Sequence, residues 1–307
     1  MPSKRLEYKK SMPDLPALFD LHGRVAVVTG GAGLLGTQFC DTLGAAGAQV
    51  VVADINLEAA ETLAASLIAR WPAPSGPRAL AVQMDVTSPE SVRRMVSTTV
   101  DRFGRLDILV NNAALDPKVD PTSAGIGEEA PQGIHPGASE PLSPSFVPFE
   151  DFPLELWDRA LAVNLTGLFL CCQAAIVPML AQGKGVIVNL CSIYGMVGPD
   201  QRIYQRAGEP SQYKPVYYSV TKAGVLGLTH YLATYYAGKN LRVNALTPGG
   251  VYHQQGEDFV KAYSSRTLLG RMAGKDEMNG ALLFLVSDAS NYMTGANLVV
   301  DGGWTAW

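Results

Sequence analysis

Short apolar runs alternate with longer helical patterns through most of this chain. Seven runs are largely apolar and rich in β-branched residues: 25–28, 50–53, 80–84, 108–110, 186–190, 243–246 and 298–300. Helical patterns lie between them, near 34–46, 57–70, 88–102, 153–180, 217–237 and 276–287. Strands that are apolar on both faces and separated by helices form a parallel sheet that is covered on both sides. The pattern predicts one α/β domain, a doubly wound parallel sheet of about seven strands.

Two inserts break this alternation. The first, 115–150, holds seven prolines and four glycines, so it cannot continue a helix or a central strand. The second, 198–215, follows a predicted strand and contains Arg202, Arg206 and Lys214. Ligands of open α/β sheets bind at the carboxyl edge, where both inserts fall. We expect the first insert to act at the substrate mouth or at a subunit contact; the alternative is a disordered surface loop.

The composition argues against several classes of partner. Of the 307 residues, 47% are hydrophobic, and 24 basic against 28 acidic residues give a net charge of −4. A chain without a broad basic face is not expected to bind nucleic acid. The most membrane-like stretch, 160–180, is interrupted by Asn164, Gln173 and Pro178, so it predicts a buried helix and no membrane partner. The expected partner is a small-molecule substrate.

The cysteines, the histidines and the N-terminus narrow the picture further. The four cysteines form no CxxC pair, and the four histidines show no HxxxH or HExxH spacing, so no metal site is predicted. We interpret the cysteines as buried side chains in a reducing compartment, the cytoplasm. Residues 1–22 lack the apolar core of a signal peptide. They are predicted to form a loose arm before a domain spanning 23–307.

A glycine-rich turn follows the first predicted strand. Its sequence is Thr29-Gly30-Gly31-Ala32-Gly33-Leu34-Leu35-Gly36. Glycines permit a tight turn and let backbone N–H groups approach a pyrophosphate at the positive end of the next helix. Asp54 stands at the end of the second strand, and no basic residue follows it in 55–57. A carboxylate there binds adenosine ribose hydroxyls and repels a 2′-phosphate, which favours NAD over NADP; a glycine turn without a ligand is the alternative.

A second group of polar residues has the chemistry of proton transfer. Tyr218 and Lys222 are four positions apart on a predicted helix, and Ser192 directly follows the fifth strand. Residues at i and i+4 share a helix face, so the ammonium is expected to lower the phenol pKa from its usual value near 10. A tyrosine so placed can serve as an acid or base near neutral pH. Taken alone, the same spacing also arises by chance in purely structural helices.

The combination resembles the short-chain dehydrogenase/reductase family, over nearly the whole chain from Gly23 to Gly303. Further matches to the family's motifs are Asp85-Val86, Asn111-Asn112-Ala113-Ala114, Asn164 in Val-Asn-Leu, Arg242 to Gly249, Thr294-Gly295 and Val300-Asp301-Gly302-Gly303. The resemblance implies a Rossmann-like fold, a homodimer or homotetramer, and an NAD-dependent interconversion of an alcohol and a ketone.

The resemblance also implies roles for individual residues. Tyr218 would exchange the proton with the substrate oxygen, Ser192 would hold that oxygen, and Lys222 would lower the tyrosine pKa and bind the nicotinamide ribose. Asn164 would complete a water-linked relay to Lys222. The implied NAD-binding residues are Gly30, Gly33, Leu34, Leu35, Asp54, Ile55, Asp85, Val86, Asn112, Ala113, Ala114, Tyr218, Lys222, Pro248, Gly249 and Val251.

Two departures from the family pattern keep alternatives open. The turn reads TGxxGxxG, the spacing of the longer sugar-nucleotide epimerase branch, although the stretch after Lys222 is short and carries the short branch's endings. The separation of Ser192 from Tyr218 is about double the family's usual gap, because the second insert lies between them. A sugar epimerase or dehydratase that uses bound NAD, and a dinucleotide-sensing protein without turnover, are the alternative functions.

The substrate prediction rests on weaker signals. Residues 199–204 and 302–307 resemble stretches of bacterial oxidoreductases in flagellin-modification and surface-sugar pathways, which favours a sugar-like substrate. If 202–206 forms a helical turn, Arg202 and Arg206 share a face that suits a phosphate or carboxylate, and His253 and Arg266 could approach from the other side. The expectation is an anionic, phosphorylated substrate; the alternative is that the arginines lie on a solvated loop or pair with Asp200 and Glu209.

Overall fold

A seven-stranded parallel sheet forms the centre of the protein. The computed structural model describes residues 14–72, 78–116, 147–205 and 212–307. The strands are β1 (Val25–Thr29), β2 (Gln49–Asp54), β3 (Ala79–Gln83), β4 (Ile108–Asn111), β5 (Gly185–Leu190), β6 (Leu241–Pro248) and β7 (Asn297–Val300). Their order is β3-β2-β1-β4-β5-β6-β7, and every pair is parallel. The predicted doubly wound fold is confirmed, with the strand order reversing beside β1.

Helices cover both faces of this sheet. They are α1 (Leu15–Leu18), α2 (Leu34–Ala45), α3 (Leu57–Arg70), α4 (Pro89–Phe103), α5 (Leu154–Leu161), α6 (Leu168–Gln182), α7 (Val216–Tyr235), α8 (Glu257–Ser264) and α9 (Asn279–Val286). One apolar core joins the sheet to α4, α6 and α7, and the other joins it to α2, α3 and α9. Strands such as β1 are fully buried because both of their faces meet helices.

The predicted helix at 153–180 is interrupted by a wider turn. After α5, the segment Ala162–Gly167 has π-helical hydrogen bonding, and α6 continues from it. Within the described residues, 154–182 is the one helical stretch long and apolar enough to cross a membrane. One face of it is instead packed in the protein core, through side chains such as Cys171, Ala175 and Met179. Turns of this π type are frequent at functional sites, and this one carries Asn164.

The end of the predicted N-terminal arm packs against the domain. Leu21, assigned to the arm, is fully buried, and its N–H donates to the Ala46 carbonyl at 2.8 Å. Residues 1–13 lie outside the described residues, as does 117–146 of the first insert. Of the second insert, 198–205 and 212–215 are described, and Gln201–Tyr204 forms a short 3₁₀ turn there. Helix α8 was not predicted from the sequence, although its apolar residues stand at helical spacing behind an acidic first turn.

Candidate active site

The glycine turn connects β1 to α2 at the carboxyl edge of the sheet. Gly30 has a φ of +60°, and a Cβ there would lie 2.9 Å from the Ala113 Cα. At Gly36, a Cβ would lie 2.1 Å from the Gly30 carbonyl oxygen. Only glycine fits at either position, so the turn stays tight. Helix α2 then begins without a side-chain cap, which leaves its first N–H groups available to an anion.

Asn112 fixes this turn from the neighbouring strand. Its Nδ2 donates to the carbonyl oxygens of Thr29 and Gly30, at 3.1 and 2.9 Å. The Thr29 hydroxyl in turn accepts hydrogen bonds from the backbone N–H groups of Asn112 and Ala113, both at 3.1 Å. The residues after β4 are therefore locked to the turn after β1, as a preorganised dinucleotide site requires.

Asp54 stands at the end of β2 beside the same turn. Its carboxylate accepts hydrogen bonds from the N–H groups of Ala32 and Asn56, at 2.9 and 3.0 Å. These two residues also line an adjacent cleft of about 510 Å³, together with Thr37 and Glu58. None of the described residues lining that cleft is basic. Uncharged side chains and the carboxylate of Glu58 thus line the cleft beside the glycine turn.

The remaining residues assigned to the cofactor also lie at this edge. Asp85 accepts two hydrogen bonds from Thr87, from its N–H at 2.8 Å and its hydroxyl at 2.7 Å, which shapes the turn after β3. The Gly249 N–H donates to the Val300 carbonyl at 2.9 Å, where β6 ends against β7. The other residues of the set lie at or after the ends of β1, β2, β3, β4 and β6: Gly33, Leu34, Leu35, Ile55, Val86, Ala113, Ala114, Pro248 and Val251.

Ser192, Tyr218 and Lys222 come together despite the insert that separates the serine from the tyrosine. All three are buried. Ser192 follows the end of β5, and its hydroxyl accepts from the Tyr194 N–H at 3.3 Å. The following turn packs directly on α7, because a Cβ at Gly195 would lie 2.6 Å from the Lys222 carbonyl. The insert between serine and tyrosine therefore leaves their contact intact.

The pKa of Tyr218 is shifted upward, whereas the sequence predicted a downward shift. Burial raises it well above its usual value, and a hydrogen bond with Ser192 opposes that rise. The Lys222 Nζ donates to the Leu190 carbonyl at 2.8 Å and lies 5.8 Å from the centre of the Tyr218 ring. Burial also lowers the lysine pKa. Desolvation therefore outweighs the attraction of an ammonium that is held by a backbone carbonyl, so the net shift of the phenol pKa is upward, and the lowering contributed by Lys222 stays a prediction.

Asn164 acts as a clamp on the loop that follows β4. Its Oδ1 accepts from the Leu115 N–H at 2.6 Å, and its Nδ2 donates to the Leu115 carbonyl at 3.0 Å. The same Nδ2 also lies 3.3 Å from the Thr221 hydroxyl on α7. Both N–H groups of the side-chain amide are therefore engaged, while Oδ1 keeps a second lone pair for a further hydrogen bond.

Two features around Tyr218 were missed by the sequence analysis. The first is an aromatic cluster that extends from it: the Tyr204 hydroxyl donates to the Tyr194 hydroxyl at 2.9 Å, and Tyr263 stacks on Trp304 with ring centres 4.4 Å apart. Its members come from distant segments, so no local pattern identified them.

The second feature is a charge pair across the face of the tyrosine ring. The Lys214 Nζ lies 4.0 Å from the centre of the Tyr218 ring and forms an ion pair with Asp116. Lysine and aspartate come from the two inserts. From the sequence, Lys214 was identified only as one of the basic residues of the second insert.

The arginines expected to hold a substrate anion are engaged elsewhere. Arg202 donates through Nε and Nη2 to both carboxylate oxygens of Asp200, at 2.7 and 2.8 Å, and Arg266 reaches the same carboxylate at 2.5 Å. Arg202 and Arg266 do lie close together, as expected, but both are ion-pair partners of Asp200. His253 is exposed, and Arg206 and Glu209 lie outside the described residues. Of the predicted anion-binding donors, Arg202 and Arg266 are thus paired with Asp200.

No group of three or more potential metal ligands occurs within residues 14–72, 78–116, 147–205 and 212–307. All four cysteines are unpaired and buried, as expected. Burial raises the pKa of the Cys172 thiol to about 12 and that of Cys191 above its usual value. These thiols are thus small core side chains.

Comparison with known proteins gives the family. A model described as short chain dehydrogenase matches residues 24–263. D-threitol dehydrogenase of Mycolicibacterium smegmatis is 35% identical over 292 residues, which cover 94% of this chain and 95% of that protein.

Solved structures agree with this result. A gluconate 5-dehydrogenase from Burkholderia cenocepacia, in complex with NADP and tartrate, is 28% identical with a TM-score of 0.77, covering 96% of this chain and 100% of the other. A short chain dehydrogenase from Leptospira borgpetersenii with bound NAD⁺ is 28% identical with a TM-score of 0.74, covering 97% and 98%. The chain belongs to the short-chain dehydrogenase/reductase family and is an oxidoreductase with a nicotinamide dinucleotide cofactor.

Proposed function

We propose that the protein is an NAD-dependent dehydrogenase that interconverts a secondary alcohol and a ketone on a neutral, sugar-like polyol. The observation that carries the proposal is the buried group of Ser192, Tyr218 and Lys222 at the sheet edge that also holds the glycine turn. A proton-transfer group and a dinucleotide site at one edge are what alcohol oxidation needs, since a proton and a hydride leave neighbouring atoms.

In this mechanism, Tyr218 accepts the proton of the alcohol oxygen in the oxidation direction and returns it in reduction. Ser192 donates a hydrogen bond to that oxygen and orients it. Lys222 contributes positive charge beside the phenolate and binds the nicotinamide ribose. Asn164 fixes the Leu115 loop and takes part in a water-linked relay toward Lys222. When bound, NAD supplies the acceptor for the hydride that leaves the alcohol carbon.

Asp54 supports the choice of NAD over NADP. Its carboxylate keeps lone pairs for the ribose hydroxyls beyond the two bonds from Ala32 and Asn56. A 2′-phosphate in the same place would bring like charges together with Glu58 nearby and no basic lining residue among those described. Relatives with either cofactor exist, so this choice depends on the residues of this chain.

A neutral polyol is favoured over a phosphorylated sugar. Asp200 occupies the guanidinium donors of Arg202 that the phosphate would need, and its pKa is lowered to about 2, chiefly by the hydrogen bond from Arg202. The carboxylate is therefore charged at every pH at which an enzyme assay is run. The similarity to a protein named for D-threitol, a neutral polyol, points the same way.

One observation favours a second function. The glycine spacing, with Gly30, Gly33 and Gly36, is that of sugar-nucleotide epimerases, which use bound NAD without consuming it. Net formation of NADH separates a dehydrogenase from an epimerase, a dehydratase and a dinucleotide-sensing protein. The proposal is tested by measuring NADH formation across polyols, sugar phosphates and sugar nucleotides; steady NADH formation with a neutral polyol supports it, and turnover without NADH formation overturns it.

The proposed assembly is a homodimer or homotetramer. Exposed apolar side chains lie on both α6 and α7. Val177 on α6 is 67% exposed, and Tyr235 on α7 is 65% exposed. Large apolar side chains on two neighbouring helices are typical of a face that another subunit covers. Light scattering should give two or four chains per particle, and replacement of Val177 by Glu should lower that number. A wild-type monomer would contradict the proposal.

A further inference from the structure

We infer that Lys214 and Asp116 form a charge pair that sets the acidity of Tyr218, with Lys214 as a second ammonium acting beside Lys222. The inference rests on the proposed role of Tyr218 as the proton-transfer group. It assigns a positioning and electrostatic role to one residue from each of the two inserts.

The first support is the distance of the two ammonium groups from the phenol ring. The Lys214 Nζ lies 4.0 Å from the ring centre of Tyr218, whereas the Lys222 Nζ lies 5.8 Å away and is bonded to the Leu190 carbonyl. The side chain of Lys214 is only 9% exposed. An ammonium over an aromatic face at this distance, largely removed from water, interacts more strongly than an exposed one.

The second support is that both members of the pair are held by amide clamps. The Gln201 side chain accepts from the Lys214 N–H at 2.8 Å and donates to the Lys214 carbonyl at 3.1 Å. Asn164 makes the same two bonds to Leu115, the residue before Asp116. The second insert is thus fixed at Lys214 itself, and the first is fixed at the residue that precedes Asp116. A surface ion pair between long side chains lacks such preorganisation and contributes little.

The charged and titratable groups around Tyr218 come from its own helix, from the segment after β5 and from both inserts. Lys222 lies on the same helix, Cys191 at the end of β5 and Tyr194 on the turn after it, while Asp116 and Lys214 come from the inserts. Asp116 raises the pKa of Tyr218, second only to burial. Lys214 also lowers the pKa of Lys222.

The two members of the pair have opposite effects on the phenol. A phenolate is stabilised by the Lys214 ammonium and destabilised by the Asp116 carboxylate. Asp116 is 52% exposed and hence better screened by solvent than Lys214. Removing the carboxylate should therefore make Tyr218 more acidic, and removing the ammonium should make it less acidic.

The test uses this difference in sign. Asp116→Asn should lower the apparent pKa of Tyr218, and Lys214→Met should raise it, each by about one unit for a charge 4–6 Å away. Lys214→Arg keeps the charge and should stay closer to wild type than Lys214→Met. Glu277→Gln removes a carboxylate from the exposed Arg271 pair, outside this cluster, and should change nothing.

Two readouts separate this inference from the proposed function. Protein labelled with 3-fluorotyrosine, whose phenol is more acidic than that of tyrosine, is titrated by ¹⁹F NMR in the absence of substrate. The Tyr218 signal is identified by its absence from Tyr218→Phe. The ascending limb of kcat/KM for alcohol oxidation is then measured against pH with the best substrate. The NMR titration decides the inference even if no substrate is turned over.

Opposite shifts in the two variants support the pair's role. The inference is overturned if the apparent pKa of Tyr218 is unchanged in both variants or shifts in the same direction in both. If the contact were merely structural, losing either partner would disturb the site in the same way. If Lys214→Met fails to fold, the half-exposed Asp116→Asn decides alone: a lowered pKa supports the inference, and an unchanged or raised one overturns it.

Discussion

The Asp54 carboxylate accepts a hydrogen bond from the Ala32 N–H at 2.9 Å and so ties the end of β2 to the glycine turn after β1. One oxygen is thereby oriented by the turn, and the other by Asn56. The group that would select the cofactor is held by the same backbone that would bind its pyrophosphate.

The first prediction concerns this carboxylate. The wild-type protein should have a higher kcat/KM with NAD than with NADP, and Asp54→Asn should narrow the ratio by about tenfold or more, because the amide removes the repulsion of a 2′-phosphate at almost unchanged volume. Steady-state kinetics with both cofactors measure the ratio. Equal or better kcat/KM with NADP in the wild type is incompatible with the assignment.

The second prediction concerns the lock between the loop after β4 and the glycine turn. Asn112→Ala removes the donor that bonds the carbonyls of Thr29 and Gly30. Loss of two such bonds should weaken NAD binding about tenfold or more, with a smaller effect on kcat, since Tyr218 and Ser192 are untouched. Calorimetric titration with NAD measures this affinity. Asn291→Ala, in an exposed turn, is the matched control; equal affinities in both variants would rule out the lock.

Much of the fold and part of the site could be predicted from the sequence, and the reason is local. Seven buried strands, the glycine turn and Asp54 each depend on residues close in the chain, whose spacing is fixed by strand and helix geometry. Tyr218 and Lys222 follow the same rule, since one helical turn separates them. These features can therefore be predicted before any tertiary contact is known.

What could not be predicted depends on contacts between distant segments. Lys214 reaches Tyr218 only because Gln201 and Asn164 fix two inserts whose conformation no periodicity specifies. The burial that raises the Tyr218 pKa is likewise a tertiary effect, as is the sharing of Asp200 by two arginines. In both cases formal charge and spacing identified the candidate residues, but they did not predict the burial of Tyr218 or the pairing of two arginines with Asp200.

The third prediction concerns the arginines. Arg202→Ala should change KM by less than about threefold for unphosphorylated and phosphorylated sugars alike, because its guanidinium is bonded to Asp200 and its side chain is 79% exposed. The Asp200 pKa of about 2 lies below its unfolded value, so the pair is present above that value and is lost only as pH falls through about 2. Profiles of KM from pH 5 to 9 should be parallel in wild type and variant. If Arg202→Ala raised KM tenfold for the phosphorylated sugar alone, this prediction would be wrong and Arg202 would bind the substrate's phosphate.

The fourth prediction uses two tryptophans of the C-terminal segment. Trp304 is buried against Tyr263, whereas Trp307 is 75% exposed. Trp304→Ala should lower the free energy of unfolding by about 3 kcal/mol or more, as is usual for a buried aromatic side chain, and Trp307→Ala by no more than about 0.5 kcal/mol. Denaturant unfolding followed by circular dichroism gives both values. Similar losses in the two variants would mean that the aromatic cluster does not contribute as described.

The central claim is that Tyr218 transfers the proton in an NAD-dependent alcohol oxidation. The most direct measurement is the rate of NADH formation by Tyr218→Phe and by wild type on the best polyol, with NAD affinity determined for both. The substitution removes the phenolic hydroxyl and little volume, so NAD affinity should be retained while the rate falls by about 10² to 10⁴. A variant that binds NAD normally and keeps more than about a tenth of the wild-type rate would contradict the claim.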